Sequence, residues 1–218
     1  MTSLPAAPPA TPPGLARRAG ELRAELQLLP AEILAARTGA QFLSLGAGRG
    51  EFHLEFFGAG FLGAYPDFRF FSASGAELPD FQQTLLLYYF QTADGLPLTG
   101  NWVSFADLPG GRIYNQAFQG YSGRELVKAF GLDLAAFQAA AGAAGGESVA
   151  VGEAAFRFQA LPRLPLVLTY WLGDEDFPSS CQVLFDASAT HYLPIDGCAI
   201  LGSQLTQKIL KKRVLQPR

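Results

Sequence analysis

The spacing of apolar residues changes period along this chain, and that change constrains the fold more than any other feature. Leu22, Leu26, Leu29 and Ile33 lie four, three and four apart, which places them on one helix face. From Glu51 the period becomes two. Glu51, His53 and Glu55 alternate with Phe52, Leu54 and Phe56, as in a strand with one wet face and one dry face. The spacing therefore predicts a helix to about Leu29 and a short helix from Pro30 to Thr38, because proline suits a first helical position and Gly39 a C-terminal cap. Strands are expected over Phe42–Leu45, Glu51–Phe56, Phe61–Tyr65 and Arg69–Ser72. Connections this short make an antiparallel meander.

The segment Pro79–Ala93 carries apolar residues on nearly every side and is expected to be a central, buried helix. Helices are predicted again over Gly123–Phe130 and Leu134–Ala144. Ala155–Leu161 alternates, Leu164–Leu172 is a continuous apolar run, and Gln182–Phe185 is β-rich; all three read as strands, the second buried on both faces. A last helix runs from Asp196 to about Val214, with Lys208, Lys211, Lys212 and Arg213 crowding its end, and is expected on the outside. The fold class is α+β, a mainly antiparallel sheet packed against several helices. The meander and the later strands are expected in one sheet, and residues 15–218 in a single domain. Residues 1–14, rich in proline and alanine, read as a disordered tail.

Composition removes several classes of function. Hydrophobic residues make up 49% and charged residues 16%, with a net charge of −3, which excludes a disordered chain. No apolar run approaches the roughly 20 residues of a membrane span. The N-terminal prolines do not resemble a signal peptide, so a cytoplasmic location is expected. Five basic residues and no acidic one follow Leu205, leaving a body still more acidic than the whole; nucleic-acid binding is not expected of it. The two cysteines, Cys181 and Cys198, are too few for an iron–sulfur cluster or a zinc ribbon and read as reduced, partly buried thiols.

Candidate sites are sparse. Gly46–Gly50 is glycine-rich, but a phosphate loop needs a helix after it, and here a strand follows. Glu51, His53 and Glu55 share one strand face and are candidate metal ligands, or merely a solvated face. Asp186 and His191, with Tyr192 adjacent, follow a buried strand and form a candidate acid–base pair, or cap the next turn. Trp102, Tyr114 and Arg163 are candidate walls of a ligand pocket. One Met, two His and two Cys are a thin stock of reactive groups beside 18 Phe, seven Tyr and two Trp. That balance favours a non-catalytic module binding a small molecule or cofactor, apolar or planar in shape. A hydrolase or transferase using Asp186 and His191, and a protein-interaction scaffold, are the alternatives. Residues Leu96–Tyr114 are rich in Gly and Pro yet aromatic. They are expected to be ordered, with Trp102 largely buried and its indole N–H bonded, Asp94 or Asp107 being possible acceptors.

The run Ala93-Asp94-Gly95, Pro97-Leu98, Gly100, Trp102-Val103-Ser104-Phe105, Leu108-Pro109-Gly110-Gly111 and Tyr114 resembles a bacterial and archaeal family, domain of unknown function 3786. Thr38-Gly39, Phe52 through Gly58, Leu161-Pro162-Arg163-Leu164-Pro165, Trp171, Gly173 through Pro178 and Leu184-Phe185-Asp186 continue the likeness, which covers about residues 28–212. The resemblance implies no reaction. Some relatives carry an appended cysteine-rich iron–sulfur segment and occur in anaerobes using corrinoid chemistry, whereas this chain has a Pro/Ala-rich segment instead.

Overall fold

In the computed structural model, which describes residues 13–214, helices α1 (Pro13–Leu26) and α2 (Ala31–Thr38) lead into the meander β1 (Gln41–Gly46), β2 (Arg49–Phe56), β3 (Ala59–Tyr65) and β4 (Arg69–Ser72). These four strands form an antiparallel sheet in sequential order. Period-two patterning sets its faces: Gly50, Phe52, Leu54 and Phe56 are buried, while His53 and Glu55 are exposed. Helix α3 (Asp80–Thr92) lies against the dry face. Its Phe90 ring sits 4.9 Å from that of Phe52 and 5.9 Å from that of Phe68. Leu85, Leu86, Leu87 and Tyr89 are buried as well, as the all-round apolar pattern of this helix predicts.

The second half builds a separate sheet. Strand β5 (Trp102–Ser104) is followed by three helices, α4 (Gly111–Tyr121), α5 (Gly123–Phe130) and α6 (Leu134–Ala143). Strands β6 (Glu147–Ser148), β7 (Ala154–Leu161), β8 (Leu164–Trp171) and β9 (Ser180–Asp186) come next, and α7 (Ile195–Val214) closes the described chain. The strand order is β5-β9-β8-β7-β6, all antiparallel. One face packs on the helices: Phe137 of α6 stacks near Tyr170 of β8 (4.5 Å), and Phe118 of α4 on Phe105 (4.2 Å) beside Phe185 of β9. The other face is covered in part by the loop 149–153.

The α+β class is as the periodicity predicts. Two expectations are corrected. The strands form two sheets of four and five strands instead of one. The sheets meet where the Phe57 N–H, at the tip of the β2–β3 hairpin, donates to the Ala160 carbonyl of β7 at 2.9 Å. Helix α7 is not external: Leu201, Leu205 and Ile209 are fully buried, and Gly202 meets the Phe118 ring. A lysine-rich end does not prevent one face of a long helix from being core. Residues 1–12 of the expected tail lie outside the described residues, and Pro13 and Gly14 already belong to α1. No helix among the described residues is long and apolar enough to cross a membrane.

Helix α4 begins pressed against backbone. A Cβ on Gly111 would collide with the Phe105 carbonyl oxygen, so Gly111→Ala is expected to destabilise the protein by about 1–3 kcal/mol. Gly20→Ala in α1, with nothing within 4 Å, is expected to be neutral or to stabilise by about 0.5–1 kcal/mol. Urea melts of the two variants check the contrast.

Candidate functional site

The expected acid–base pair is not formed. Asp186 ends β9 and is 1% exposed. Its carboxylate accepts from the Thr99 N–H (3.1 Å), the Thr99 hydroxyl (3.0 Å), the Gly100 N–H (2.7 Å), the Ser188 N–H (2.9 Å) and the Ser188 hydroxyl (2.6 Å). Burial pushes its pKa up, but the bonds from Ser188 and Thr99 outweigh burial and hold it below the ordinary carboxylate range. Asp186 is thus a structural tie between the loop before β5 and the turn after β9. His191 turns instead to Asp94, its Nδ1–H donating to Asp94 Oδ2 at 2.6 Å. That bond, and one from the Leu96 N–H, lower the Asp94 pKa. A carboxylate-oriented imidazole can accept a proton on its other nitrogen. No hydroxyl or thiol among the described residues bonds to it, so no activated nucleophile accompanies the pair. Tyr192, beside it, is buried and donates to the Leu96 carbonyl.

The three candidate pocket walls lie in different places. Tyr114 is 56% exposed on α4. Arg163, in the β7–β8 turn, donates its backbone N–H to the Tyr89 hydroxyl (3.0 Å), which itself donates to the Thr38 carbonyl (2.6 Å). Burial drives the Tyr89 pKa upward, so the hydroxyl stays a neutral bridge between the α2 C-terminus and the second sheet. Trp102 corrects the sequence expectation most clearly. It is half-buried, and its indole N–H has no protein partner among the described residues. It pairs with Asp186 in register, on the sheet face away from the helices, because Val103 beside it pairs with the inward Phe185. There it lines a cleft of about 290 Å³ with Val149, Val151, Arg157, Val167 and Leu184.

Glu51, His53 and Glu55 do share one face of β2, with His53 Nε2 3.2 Å from Glu51. No group of three or more His, Cys, Asp or Glu among the described residues is arranged to hold a metal ion. Cys181 and Cys198 are both buried and unbonded to each other. Burial pushes both thiols up, that of Cys198 to about 12, which makes them poor nucleophiles.

Sequence reasoning misses the residue that stands out chemically, Arg157. Its Nε is the one buried side-chain nitrogen or oxygen among the described residues that lacks a hydrogen-bond partner. In the second sheet Ser104, Leu184, Val167, Arg157 and Glu147 are successive cross-strand neighbours, so the guanidinium rises beside two apolar side chains. Arg157 also lines a second, polar cleft of about 380 Å³, between the β2–β3 hairpin, the end of α6 and α7. Lys208 reaches into this cleft from α7, donating to the Phe57 carbonyl at 2.6 Å with its ammonium 5.6 Å from the Phe57 ring centre. Burial and the neighbouring Lys212 lower its pKa. Glu55 and Glu147 stand in the same cleft, and neither carboxylate is ion-paired or hydrogen-bonded among the described residues. The alternation of β7 carries the only signal for Arg157: it marks the residue as facing away from Phe156 and Phe158, but not what it faces.

Comparison with known families places the chain. Domain of unknown function DUF3786 matches residues 31–208, and the chain belongs to this family. No curated protein and no solved structure matches it.

The bonds to Asp186 fix the sign of an acid effect. A carboxylate whose pKa is lowered on folding contributes stability above its unfolded pKa and loses it as pH falls through the folded value. Asp186→Asn is expected to cost about 1–3 kcal/mol at neutral pH. It should also flatten the loss of stability between about pH 5 and pH 2, as followed by urea melts across that range.

Proposed function

We propose that this protein is a non-catalytic binding module for a small molecule with a planar or apolar body and an anionic group. The apolar body lies in the cleft walled by Trp102, Val149, Val151, Val167 and Leu184, and the anion meets Arg157. The observation that carries this reading is the unsatisfied, buried Nε of Arg157 at a position lining both clefts. Burying a guanidinium nitrogen without an acceptor is costly, and a planar fork of donors suits a carboxylate or phosphate oxygen pair. Clefts of this kind, mostly apolar with a few placed polar groups, are typical of small-molecule sites.

The half-buried Trp102 supplies both the wall and the reporter. Titration with 3-phenylpropionate, in a Trp171→Phe background so that Trp102 alone emits, is expected to give a saturable change in emission. Arg157→Met should weaken it by about tenfold or more, the scale of a lost charge-assisted bond. A flat titration, or one unaffected by Arg157→Met, would overturn the assignment. Trp102→Ala is expected to cost less than the about 3–5 kcal/mol of a fully buried aromatic while abolishing binding, which melts and calorimetry measure together.

A further inference from the structure

The polar cleft contains two cations and two carboxylates that do not satisfy one another. Arg157 and Glu147 are cross-strand partners on β7 and β6, yet no ion pair joins them, and none joins Lys208 to Glu55. Among the described residues Lys208 has the Phe57 carbonyl as its one hydrogen-bond acceptor, which leaves N–H groups to spare. The cations are the more deeply set: Arg157 and Lys208 are half-buried, whereas Glu55 and Glu147 are exposed. A simple anion would meet the inner cations but leave the carboxylates facing its own charge. A ligand with its negative group inward and a positive group a few bonds away, toward the rim, complements all four.

We infer that the ligand is zwitterionic, an α-amino acid with an aromatic or apolar side chain. Its carboxylate lies on Arg157 and Lys208, its ammonium on Glu147 and Glu55, and its side chain in the cleft under Trp102. This rests on the binding reading above and deepens it. The ammonium and carboxylate of an amino acid are separated by one carbon, which suits Arg157 and Glu147, cross-strand partners on two adjacent strands. Charge-assisted bonds to both groups give discrimination that an apolar cleft alone does not supply.

Three probes of similar size separate the possibilities by calorimetry on the full chain: L-phenylalanine, 3-phenylpropionate, which lacks the ammonium, and phenethylamine, which lacks the carboxylate. L-phenylalanine is expected to bind about tenfold or more tightly than either analogue. Glu147→Gln combined with Glu55→Gln should erase its advantage over 3-phenylpropionate without weakening 3-phenylpropionate itself. Both are exposed surface residues, so the folded state is retained, and thermal melts verify it. If 3-phenylpropionate binds as tightly as L-phenylalanine, the zwitterion inference fails while the anion-binding reading stands. If phenethylamine binds best, the carboxylates and not Arg157 dominate, and both fail. If none of the three binds, both fail as well.

Discussion

Asp186 accepts five hydrogen bonds on one nearly inaccessible carboxylate, and much of the second half of the protein is arranged by it. The loop carrying Thr99 and Gly100 is drawn against the end of β9, which brings Trp102 into register with Asp186 and makes β5 the edge of the sheet. The Ala187 N–H extends the same tie to the Asn101 carbonyl at 2.9 Å. On the far side Ser188 opens the turn that leads through His191 to α7. A buried charge is tolerated only when its lone pairs are filled, and here backbone and hydroxyl donors fill them. The segment before β5, too rich in Gly and Pro for a ladder of its own, is held by a side chain instead.

The same rule makes Arg157 conspicuous. Around Asp186, a buried ionised group that ties two loops together, the fold supplies a full set of donors. Arg157 stands on β7, two strands away from β9, with a buried Nε that lacks a partner among the described residues, and it lines both clefts. Tyr89 lies between these extremes, a neutral hydroxyl that donates once and accepts once to join α2 to the β7–β8 turn. The contrast sets the Asp186 and Tyr89 regions apart as architecture and is the ground on which binding is proposed at Arg157.

Local signals make the elements legible. The strands of the meander, the short α2 with its proline start and glycine end, and the buried character of α3 follow from apolar period and caps. Helix α5 spans the residues that the spacing predicts. Helix α4 is not legible because Gly110, Gly111 and Pro109 read as turn residues, whereas Gly111 is present because the helix starts against the Phe105 carbonyl. The division into two sheets is hidden for a different reason: which strands pair is a long-range property, and period two looks alike in either arrangement. The candidate residues fail or succeed on the same ground. Asp186 and His191 are close in sequence, but each finds a partner near residues 94–100. The chemistry of Trp102 marks it as a candidate wall but not its depth, since only the register with β9 decides which face it occupies. Arg157 and Glu147 become neighbours only through the β6–β7 pairing.

The Arg157 guanidinium is the group on which the binding account turns, and side-chain NMR observes it directly. In ¹⁵N-labelled protein, the Nε–Hε signal assigned by its loss in Arg157→Met should be slow to exchange with water, as a buried donor requires. On titration with L-phenylalanine it should shift in step with the Trp102 indole signal and saturate with it. An Arg157 signal that stays fixed while ligand saturates Trp102, or that exchanges freely before any ligand is added, would contradict the assignment of this residue as the binding group.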